Sequence, residues 1–285
     1  MRVLVTTDGS DRSLRALPHA VAFARATGSQ VTLLRVLDPR LDLGDQPGLS
    51  LEDAVKTATA EWQSAMAATI VKTGVDGNAL VLRKARREDT WEAIVRAADD
   101  IGAALIAMDS RGAGAIRHAL FGSVAMDLVG HTELPVMVTG PNIQPPATHD
   151  DYRIVATSDG SPASLAVVRA LRPMIAASDI DITLLKLCWP AGPDHRAADC
   201  AAQLKALRQG LPVSARVSEE VREMTLINGA APAIVAVAEE LGASAIAIAT
   251  HGHGAAYHLF GGSTALGIVS QSPLPVILCR SIKPG

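Results

Sequence analysis

The chain has 285 residues, of which 48% are hydrophobic, so it is long enough for about two packed domains and too apolar for a disordered protein. Its formal net charge is −3 and aromatic residues make up 3%, which excludes a basic or ring-stacking surface for nucleic acid. The N-terminal apolar run is too short for a signal peptide, and no apolar stretch reaches the length that crosses a bilayer.

The three cysteines, Cys188, Cys200 and Cys279, are widely spaced and form no Cys-x-x-Cys pair. An odd number of cysteines without such a pair is typical of a reducing compartment. We therefore expect three reduced thiols and a cytoplasmic protein.

In the first half, apolar runs bounded by turn residues alternate with segments whose apolar residues recur at helical spacing. The predicted strands cover residues 2–7, 30–37, 79–83, 104–108 and 134–138. The predicted helices contain residues 14–24, 51–72, 90–98 and 124–129. Gly28 and Gly74 are expected to end the first two helices, and Thr90 to cap the third. Residues 38–50 carry Pro, Gly and several Asp, which predicts a loop.

The second half repeats the pattern after a segment rich in Pro and turn formers. Its predicted strands cover residues 153–158, 180–187, 214–217, 245–249 and 274–278. Its predicted helices open at Ser161-Pro162, lie within 192–210 and at 231–241, and follow Ser263. We therefore predict a domain at residues 1–140, a linker at 141–151 and a domain at 152–285.

Sequence offsets support two copies of one domain. Asp8 and Asp159 are 151 residues apart, whereas Gly122 and Gly262 are 140 apart, so the second copy lacks 11 residues around its second helix. A duplicated domain predicts an interface with pseudo-two-fold symmetry.

Regular alternation of strands and helices predicts a parallel sheet with helices on both faces, in a doubly wound arrangement. In such a sheet, ligands bind beyond the carboxyl ends of the strands, where the strand order reverses. If the first and fourth strands are neighbours, Asp8 and the loop from Gly112 to Ser123 converge there. The loop ends at a predicted helix start, whose free N–H groups and dipole favour an anion.

Two motifs carry a family resemblance. Asp8-Gly-Ser follows the first strand, and Gly112 is followed after nine residues by Gly122-Ser123. The second half matches with Asp159-Gly-Ser and with Gly252, nine residues and Gly262-Ser263. Over essentially its whole length the chain resembles the universal stress protein family.

The resemblance implies an α/β fold of two tandem doubly wound domains packed with pseudo-two-fold symmetry. Each domain would have a five-stranded parallel sheet of the adenine nucleotide alpha hydrolase-like type. It also implies ATP binding in many members, association through the last strand, and regulatory, mostly non-catalytic roles in stress resistance.

The same resemblance implies a nucleotide-binding role for particular positions. In the first domain, Asp8 would hydrogen-bond the nucleoside, Thr6 would line its pocket, and the backbone of Val36 would meet the base. Met108 would pack near the base or ribose. The phosphates would be held by Gly112, Gly122, Ser123 and Val124, next to Asp109. The counterparts in the second domain are Thr157, Asp159, Leu187, Ile248, Gly252, Gly262, Ser263 and Thr264.

The chain departs from the nucleotide-binding pattern Gly-x2-Gly-x9-Gly-(Ser/Thr) at its first glycine, which is Asp109 in one half and Ala249 in the other. A carboxylate near phosphates costs electrostatic energy unless a cation compensates for it. Arg111, Arg117 or a divalent metal ion are the candidates for this compensation. Ala249 adds only a methyl group.

Simpler interpretations stay open for these motifs. Asp8-Gly-Ser predicts a turn and a helix cap even without a ligand, and Gly122-Ser123 predicts a helix start. The glycines complete neither a dinucleotide-binding Gly-x-Gly-x-x-Gly after the first strand nor a P-loop.

Other polar clusters predict no chemistry. Metal binding is not expected at three histidines of the second loop, because no carboxylate or cysteine lies at ligand spacing. These are His251, His253 and His258. A hydrolytic set of Ser123, His118 and Asp127 has no support in the sequence. A solvated acidic loop is expected from Asp38, Asp42, Asp45, Glu52 and Asp53.

Together these observations predict a stress-response regulatory protein that binds ATP or AMP, with or without Mg²⁺, in one or both domains. We expect no catalytic residues and at most slow ATP hydrolysis. The expected partners exclude nucleic acid and membranes; the halves form an intramolecular pseudo-dimer, and the final strands allow a homodimer or homo-oligomer. The alternative is a nucleotide-free interaction module with degenerate pockets, which predicts that Asp109 pairs with an arginine.

Overall fold

The fold is seen in a computed structural model. It describes residues 1–44, 48–112, 121–147, 151–161, 164–176, 178, 180–188, 197–224, 229–251 and 264–281. The first half contains β1 (Arg2–Thr6), α1 (Ala16–Thr27), β2 (Gln30–Leu37), α2 (Pro39–Asp42), α3 (Leu51–Thr73), β3 (Gly77–Arg83), α4 (Thr90–Ile101), β4 (Leu105–Asp109), α5 (Ser123–His131) and β5 (Val136–Thr139). The second half contains β6 (Arg153–Thr157), α6 (Leu165–Ala176), β7 (Asp181–Cys188), α7 (Ala197–Arg208), β8 (Arg216–Glu223), α8 (Ala230–Glu240), β9 (Ala245–His251), α9 (Thr264–Gln271) and β10 (Val276–Ser281). A single 3₁₀ turn, Ser13–Arg15, precedes α1.

Within the described residues, the strands form one ten-stranded sheet in the order β3-β2-β1-β4-β5-β10-β9-β6-β7-β8. Each half is parallel with the strand order 3-2-1-4-5, which confirms the predicted doubly wound α/β domains. The two halves join edge to edge through an antiparallel pair, in which Met137 faces Ile277. β5 and β10 therefore have both edges paired inside the chain, and β3 and β8 are the outer strands.

The pleat of the strands divides the core into two layers. Val3, Val5 and Leu105 face the layer that α1, α3, α6 and α7 cover. Leu4 and Ile106 face the opposite layer, under α4, α5, α8 and α9. This alternation decides which side chains at the strand ends can share a pocket.

Most predicted helix ends are confirmed by their caps. Gly28 and Gly74 end α1 and α3 with φ of 60° and 65°, the left-handed conformation that glycine adopts most easily. The helix α4 is capped by Asp89 and not by Thr90, because Asp89 and Glu92 form a reciprocal capping box.

The predicted loop at residues 38–50 contains a short helix, which is a correction. The side chain of Asp38 accepts a hydrogen bond from Arg40 N, and Pro39 occupies the first turn, so the segment folds as α2. Asp38 is less solvated than expected, with 14% of its side chain exposed, whereas Glu52 is 75% exposed as expected for a solvated acid. Asp38 lies 2.8 Å from Lys84 Nζ, and Glu52 lies 2.8 Å from Arg83.

The rest of this acidic cluster is only partly described. Asp42 lies 4.0 Å from Arg35, and Asp53 accepts a hydrogen bond from Ser50 at the start of α3. Asp45 lies outside the described residues.

The second-half deletion falls where the sequence offsets predict it. The helix α3 has 23 residues and its counterpart α7 has 12, a difference of 11. The following strand, β8, runs from Arg216 to Glu223 and not over 214–217 as predicted. It is an outer strand with partly exposed residues, so its polar sequence hides the apolar signal of a strand.

Two of the three cysteines are paired. Cys188, at the end of β7, and Cys200, on α7, form a disulfide with a Cα–Cα distance of 6.5 Å. The expectation of three reduced thiols is therefore wrong for this pair, because the fold brings the strand end to the helix. Cys279 is free and buried, and burial raises the pKa of its thiol to about 12.

The segment between the halves is anchored at residues 140–147. Asn142 donates a hydrogen bond to Ser270 O on α9, and Gln144 N donates to Pro273 O. On the other side, Arg15 donates to the carbonyl of Gly140 at 2.6 Å. The start of the predicted linker therefore bridges the 3₁₀ turn before α1 in the first half and α9 in the second.

In the part of the chain that the structure describes, no helix combines the length and the apolar character that a membrane span requires.

Candidate functional site

The candidate site of the first domain lies where β1 and β4 end side by side. These strands are paired, with Val3 opposite Leu105 and Val5 opposite Ala107. The strand order reverses at this pair, so the residues after β1 and after β4 border the same crevice. The structure brings Asp8 and Gly112 together here. The sequence predicted this convergence for the case in which the first and fourth strands are neighbours.

The motif residues approach each other closely. A Cβ atom on Gly112 would lie 2.7 Å from Asp8 Oδ2, so the carboxylate as it stands occupies space that a larger residue would require it to leave. Gly122 lies against the same backbone, because a Cβ there would be 3.8 Å from the Arg111 Cα and the Gly112 N. Gly122 N donates a 2.7 Å hydrogen bond to Ser110 O. Asp8, Gly112 and Gly122 thus form one site.

Asp8 also stabilises the turn after β1, which is the simpler interpretation of its motif. Its Oδ1 accepts hydrogen bonds from Ser10 N at 2.9 Å and from Ser10 Oγ at 2.6 Å. Its other carboxylate oxygen is the one directed at Gly112. The two interpretations are therefore compatible: one oxygen orders the turn while the other borders the crevice.

The residues predicted to meet the nucleoside share one face of the sheet. Val36 and Met108 pack in the core layer of α4 and α5, and Thr6 is two residues after Leu4, which points the same way. Met108 is buried, whereas Thr6 and Val36 are half-buried at the strand ends. This arrangement can offer an apolar wall and a backbone edge to a flat ring.

The phosphate side of the predicted site is the N-terminus of α5. Gly122 is the N-cap residue and provides no side chain, so within the described residues no side chain caps the first turn. Ser123 is exposed and Val124 is half-buried. Ser110 Oγ is buried without a hydrogen-bond partner among the described residues. Unsatisfied donors at a helix start favour an anion.

Asp109 occupies the position of the missing glycine and faces away from the nucleoside side. It is 6% exposed, and its Oδ2 accepts a 2.9 Å hydrogen bond from Thr139. The Nε atoms of Arg12 and Arg15 lie 3.7 and 3.8 Å from its carboxylate. Its place on the strand follows from the pleat, since Met108 and Asp109 must point to opposite faces.

The structure adds two arginines to the predicted sources of charge compensation. Arg12 and Arg15 are the guanidinium groups that the structure describes beside Asp109, while Arg111 contributes its backbone N–H at 3.1 Å. Arg117 lies outside the described residues. Burial raises the pKa of Asp109, and the hydrogen bonds from Arg111 N and Thr139 and the two arginines oppose that rise.

The second domain repeats the geometry as far as it is described. β6 and β9 are paired, and Asp159 Oδ1 accepts a 2.8 Å hydrogen bond from Ser161 N, as Asp8 does from Ser10. Thr157 donates to Ala247 O at 3.2 Å. Leu187 and Ile248 pack against the layer of α8 and α9, and Thr264 begins α9. Three predicted residues lie outside the described part: Gly252, Gly262 and Ser263.

Sequence reasoning missed a basic residue beside each Asp-Gly turn. Gly9 and Gly160 have φ of 88° and 82°, and a Cβ on either would collide with Arg35 or with Gln203 and Lys186. Arg35 stacks on the Trp62 ring 3.2 Å from its centroid, while Lys186 is 3% exposed and donates to Asp159 O at 2.9 Å. The signal was present, because these two basic residues are separated by the same 151 residues as the two aspartates.

Two other sequence candidates fall largely outside the described residues. His118 of the hydrolytic set lies there, as do His253 and His258 and the side chain of His251. Among the described residues there is no group of three or more His, Cys, Asp or Glu side chains arranged to hold a metal ion.

A model of the universal stress protein family matches residues 1–140 and 152–280. The chain belongs to the universal stress protein family. It is 31% identical to a universal stress protein of Thermus aquaticus over 48% of this chain and 96% of that protein. It is 25% identical to one of Mycobacterium tuberculosis over 62% of this chain, and the match spans 59% of that relative's length.

A solved structure supports the fold of this universal stress protein. The crystal structure of a universal stress protein from Archaeoglobus fulgidus has a TM-score of 0.68, at 20% identity, over 98% of each chain. A likeness at this identity shows the fold alone.

Proposed function

We propose that this universal stress protein is a stress-response regulatory protein that binds an adenine nucleotide, ATP or AMP, in one or both domains. The convergence of Asp8, Gly112 and Gly122 at the reversal of strand order carries the proposal. A simple turn accounts for Asp8 and Ser10, but it does not require Gly112 to leave space for the second carboxylate oxygen.

The residues of the first domain fit the two ends of such a ligand. Val36 and Met108 offer apolar surface for a base, and a carboxylate such as Asp8 accepts hydrogen bonds from ribose hydroxyl groups. The start of α5 offers N–H groups for phosphates, and the nearby Ser110 has a buried hydroxyl without a hydrogen-bond partner among the described residues. We include Mg²⁺ only in the case of ATP, because the phosphate oxygens of ATP coordinate this metal ion.

Asp109 does not conflict with this proposal. Its carboxylate is bound to Thr139 and lies beside two guanidinium groups, on the face opposite Met108. The repulsion expected between this acid and a phosphate is therefore offset by charges already present in the chain. The acid is also engaged in these contacts, so we expect at most slow ATP hydrolysis.

Gly122→Ala is a sharp test of the site. The added methyl group makes only ordinary contacts at 3.8 Å and φ at this residue is −75°, so the free protein should lose at most about 1 kcal/mol, the preference for glycine over alanine at an N-cap. In the complex the methyl group would occupy the space next to the phosphates. We expect ATP or AMP to raise the melting temperature of the wild type and to raise that of Gly122→Ala much less.

Gly44→Ala is the matched control, because none of the described residues that are not its chain neighbours lies within 4 Å of the added methyl group, and its φ is not in the left-handed region. It should respond to nucleotide as the wild type does. No shift of the wild type at millimolar ATP with magnesium would count against the proposal.

The second candidate is a nucleotide-free interaction module. One observation favours it: Asp109 lies close to arginines, as this alternative predicts for a decayed pocket. It predicts that neither ATP nor AMP changes the melting temperature, and that Gly122→Ala and the wild type behave alike.

A cytoplasmic location and homo-oligomerisation stay predictions. The disulfide between Cys188 and Cys200 removes the cysteine-based argument for a reducing compartment. A homo-oligomer through the final strands would need edges that β5 and β10 already use inside the chain.

A further inference from the structure

Arg12 of the first domain has an unusual setting at the proposed nucleotide site. It lies in the turn between β1 and α1, and its Nε is buried without a hydrogen-bond partner among the described residues. Its charge faces Asp109 Oδ1 at 3.7 Å, which is outside hydrogen-bond distance. The side chain is 39% exposed, so solvent and solutes can reach it. The guanidinium of Arg12 is therefore held near a carboxylate, but within the described residues its Nε donor is not used in a hydrogen bond.

Arg12 is close to the backbone that the proposal assigns to phosphate. The same Asp109 Oδ1 accepts the hydrogen bond of Arg111 N at 3.1 Å. The Cα of Arg111 is in turn 3.8 Å from the position of a Cβ on Gly122, at the start of α5. One carboxylate oxygen therefore ties Arg12 to the loop backbone beside the helix N-terminus.

The second domain replaces this whole cluster. At the corresponding sequence offsets of 151 and 140 residues, each charged or hydroxyl side chain of the cluster has an uncharged counterpart without a hydroxyl. Arg12, Arg15, Asp109 and Thr139 correspond to Ala163, Ala166, Ala249 and Cys279. Ala166 and Cys279 are buried in the core and carry neither the guanidinium of Arg15 nor the hydroxyl of Thr139. The cluster is therefore a property of one half only.

We propose that Arg12 binds a phosphate group of the ligand in the first domain, that Asp109 positions it, and that phosphate-dependent binding is confined to this domain. The inference rests on the proposed nucleotide binding. It adds which domain contacts the phosphates and which side chain makes that contact. A guanidinium binds phosphate oxygens through two parallel N–H groups, a geometry that lysine cannot reproduce. The substitution of the motif glycine by Asp109 then has a role: it holds the arginine beside the loop.

The test compares ATP with adenosine, which lacks phosphates, by isothermal titration of the full chain. We expect Arg12→Ala to weaken ATP binding by about 10-fold to 100-fold and to leave adenosine binding unchanged. Arg12→Lys should recover part of the loss, since it keeps the charge but not the paired N–H groups. Arg172→Ala removes one exposed arginine of α6 and serves as the control for net charge.

The domain assignment is tested with the two aspartates. Asp159→Ala should keep the preference for ATP over adenosine, and Asp8→Ala should weaken both ligands in the first domain. If Asp159→Ala abolishes the preference, the assignment to the first domain is wrong.

Failure of the inference can be distinguished from failure of the proposed function. If the wild type binds neither ATP nor adenosine, nucleotide binding itself is refuted, and the inference with it. If the wild type binds ATP and Arg12→Ala binds it equally well, only the role of Arg12 is refuted. An equal loss for ATP and adenosine would show a structural role for Arg12, which also overturns the inference.

Discussion

Asp109 illustrates how one residue can depart from a motif without disturbing the site. The strand pleat points Met108 towards the nucleoside side and Asp109 towards α1. Thr139, Arg12 and Arg15 then supply the contacts that a buried carboxylate needs. The residue is therefore part of the domain's structure as well as a neighbour of the loop.

Replacing this carboxylate should destabilise the protein. In Asp109→Ala, Thr139 and Arg111 N lose their acceptor, and the guanidinium groups of Arg12 and Arg15 lose the negative charge beside them. The arginine side chains are 39% and 30% exposed, so solvent screens part of the charge effect. We expect a loss of about 1–3 kcal/mol in the free energy of unfolding, measured by urea titration.

Asp99→Ala is the control for this variant, because Asp99 is an exposed carboxylate near the end of α4. It should change the free energy of unfolding by less than about 0.5 kcal/mol. Equal effects of the two substitutions would mean that the Asp109 contacts contribute nothing.

At the scale of elements, the two halves differ most around the second helix. The helix α7 is 11 residues shorter than α3, and a disulfide connects it to β7. The cross-link closes a short segment between Cys188 and Cys200, which restricts the unfolded chain. The disulfide therefore gives the shorter helix a local constraint that the first half, which has no cysteine, lacks.

Counting thiols tests this pairing directly. The denatured protein without reductant should show one reactive thiol per chain, that of Cys279, and three after reduction. Reduction should also lower the free energy of unfolding by about 3 kcal/mol, by the loop-closure estimate. Three thiols without reductant would show that the cysteines are unpaired, as the sequence alone suggested.

The helix α1 contains a buried histidine that should make stability depend on pH. Burial lowers the pKa of His19 to about 4, a hydrogen bond with the backbone of Gln144 opposes this shift, and the charge of Arg15 adds to it. Between about pH 6.5 and pH 4 the unfolded chain therefore binds more protons than the folded protein. Stability should fall as the pH drops through this window, by about 3 kcal/mol from His19.

His19→Gln removes the titrating group and keeps a side-chain hydrogen-bond donor. The difference in unfolding free energy between wild type and variant should change with pH between 6.5 and 4 and be constant above 7.5. Parallel pH profiles of the two proteins would contradict the assignment to His19.

At the scale of the whole molecule, the joint between β5 and β10 makes one sheet from two domains. Val138, Met137 and Val136 pair with the last strand, and their side chains are almost fully buried. Arg280 extends the contact by donating to His131 O at the end of α5. The pseudo-dimer is therefore covalently linked, and its interface forms inside one chain.

An intramolecular interface should not weaken on dilution. We expect the melting temperature to stay within about 1 °C when the protein concentration is lowered 100-fold, because no association term contributes to it. A melting temperature that falls steadily on dilution would show that a contact between chains stabilises the fold.

The sequence by itself determined the alternation of strands and helices, the duplication, the position of the deletion and the motif residues that border the crevice. These depend on local periodicity and on glycine at fixed places, which can be read along the chain. Association through the last strand was already implied by the family resemblance, but only the tertiary structure decided that β5 and β10 pair inside one chain. Only the tertiary structure also decided that the arginines beside Asp109 are Arg12 and Arg15, and that Cys188 pairs with Cys200. Such partners are chosen by packing between distant elements, so no local pattern reveals them.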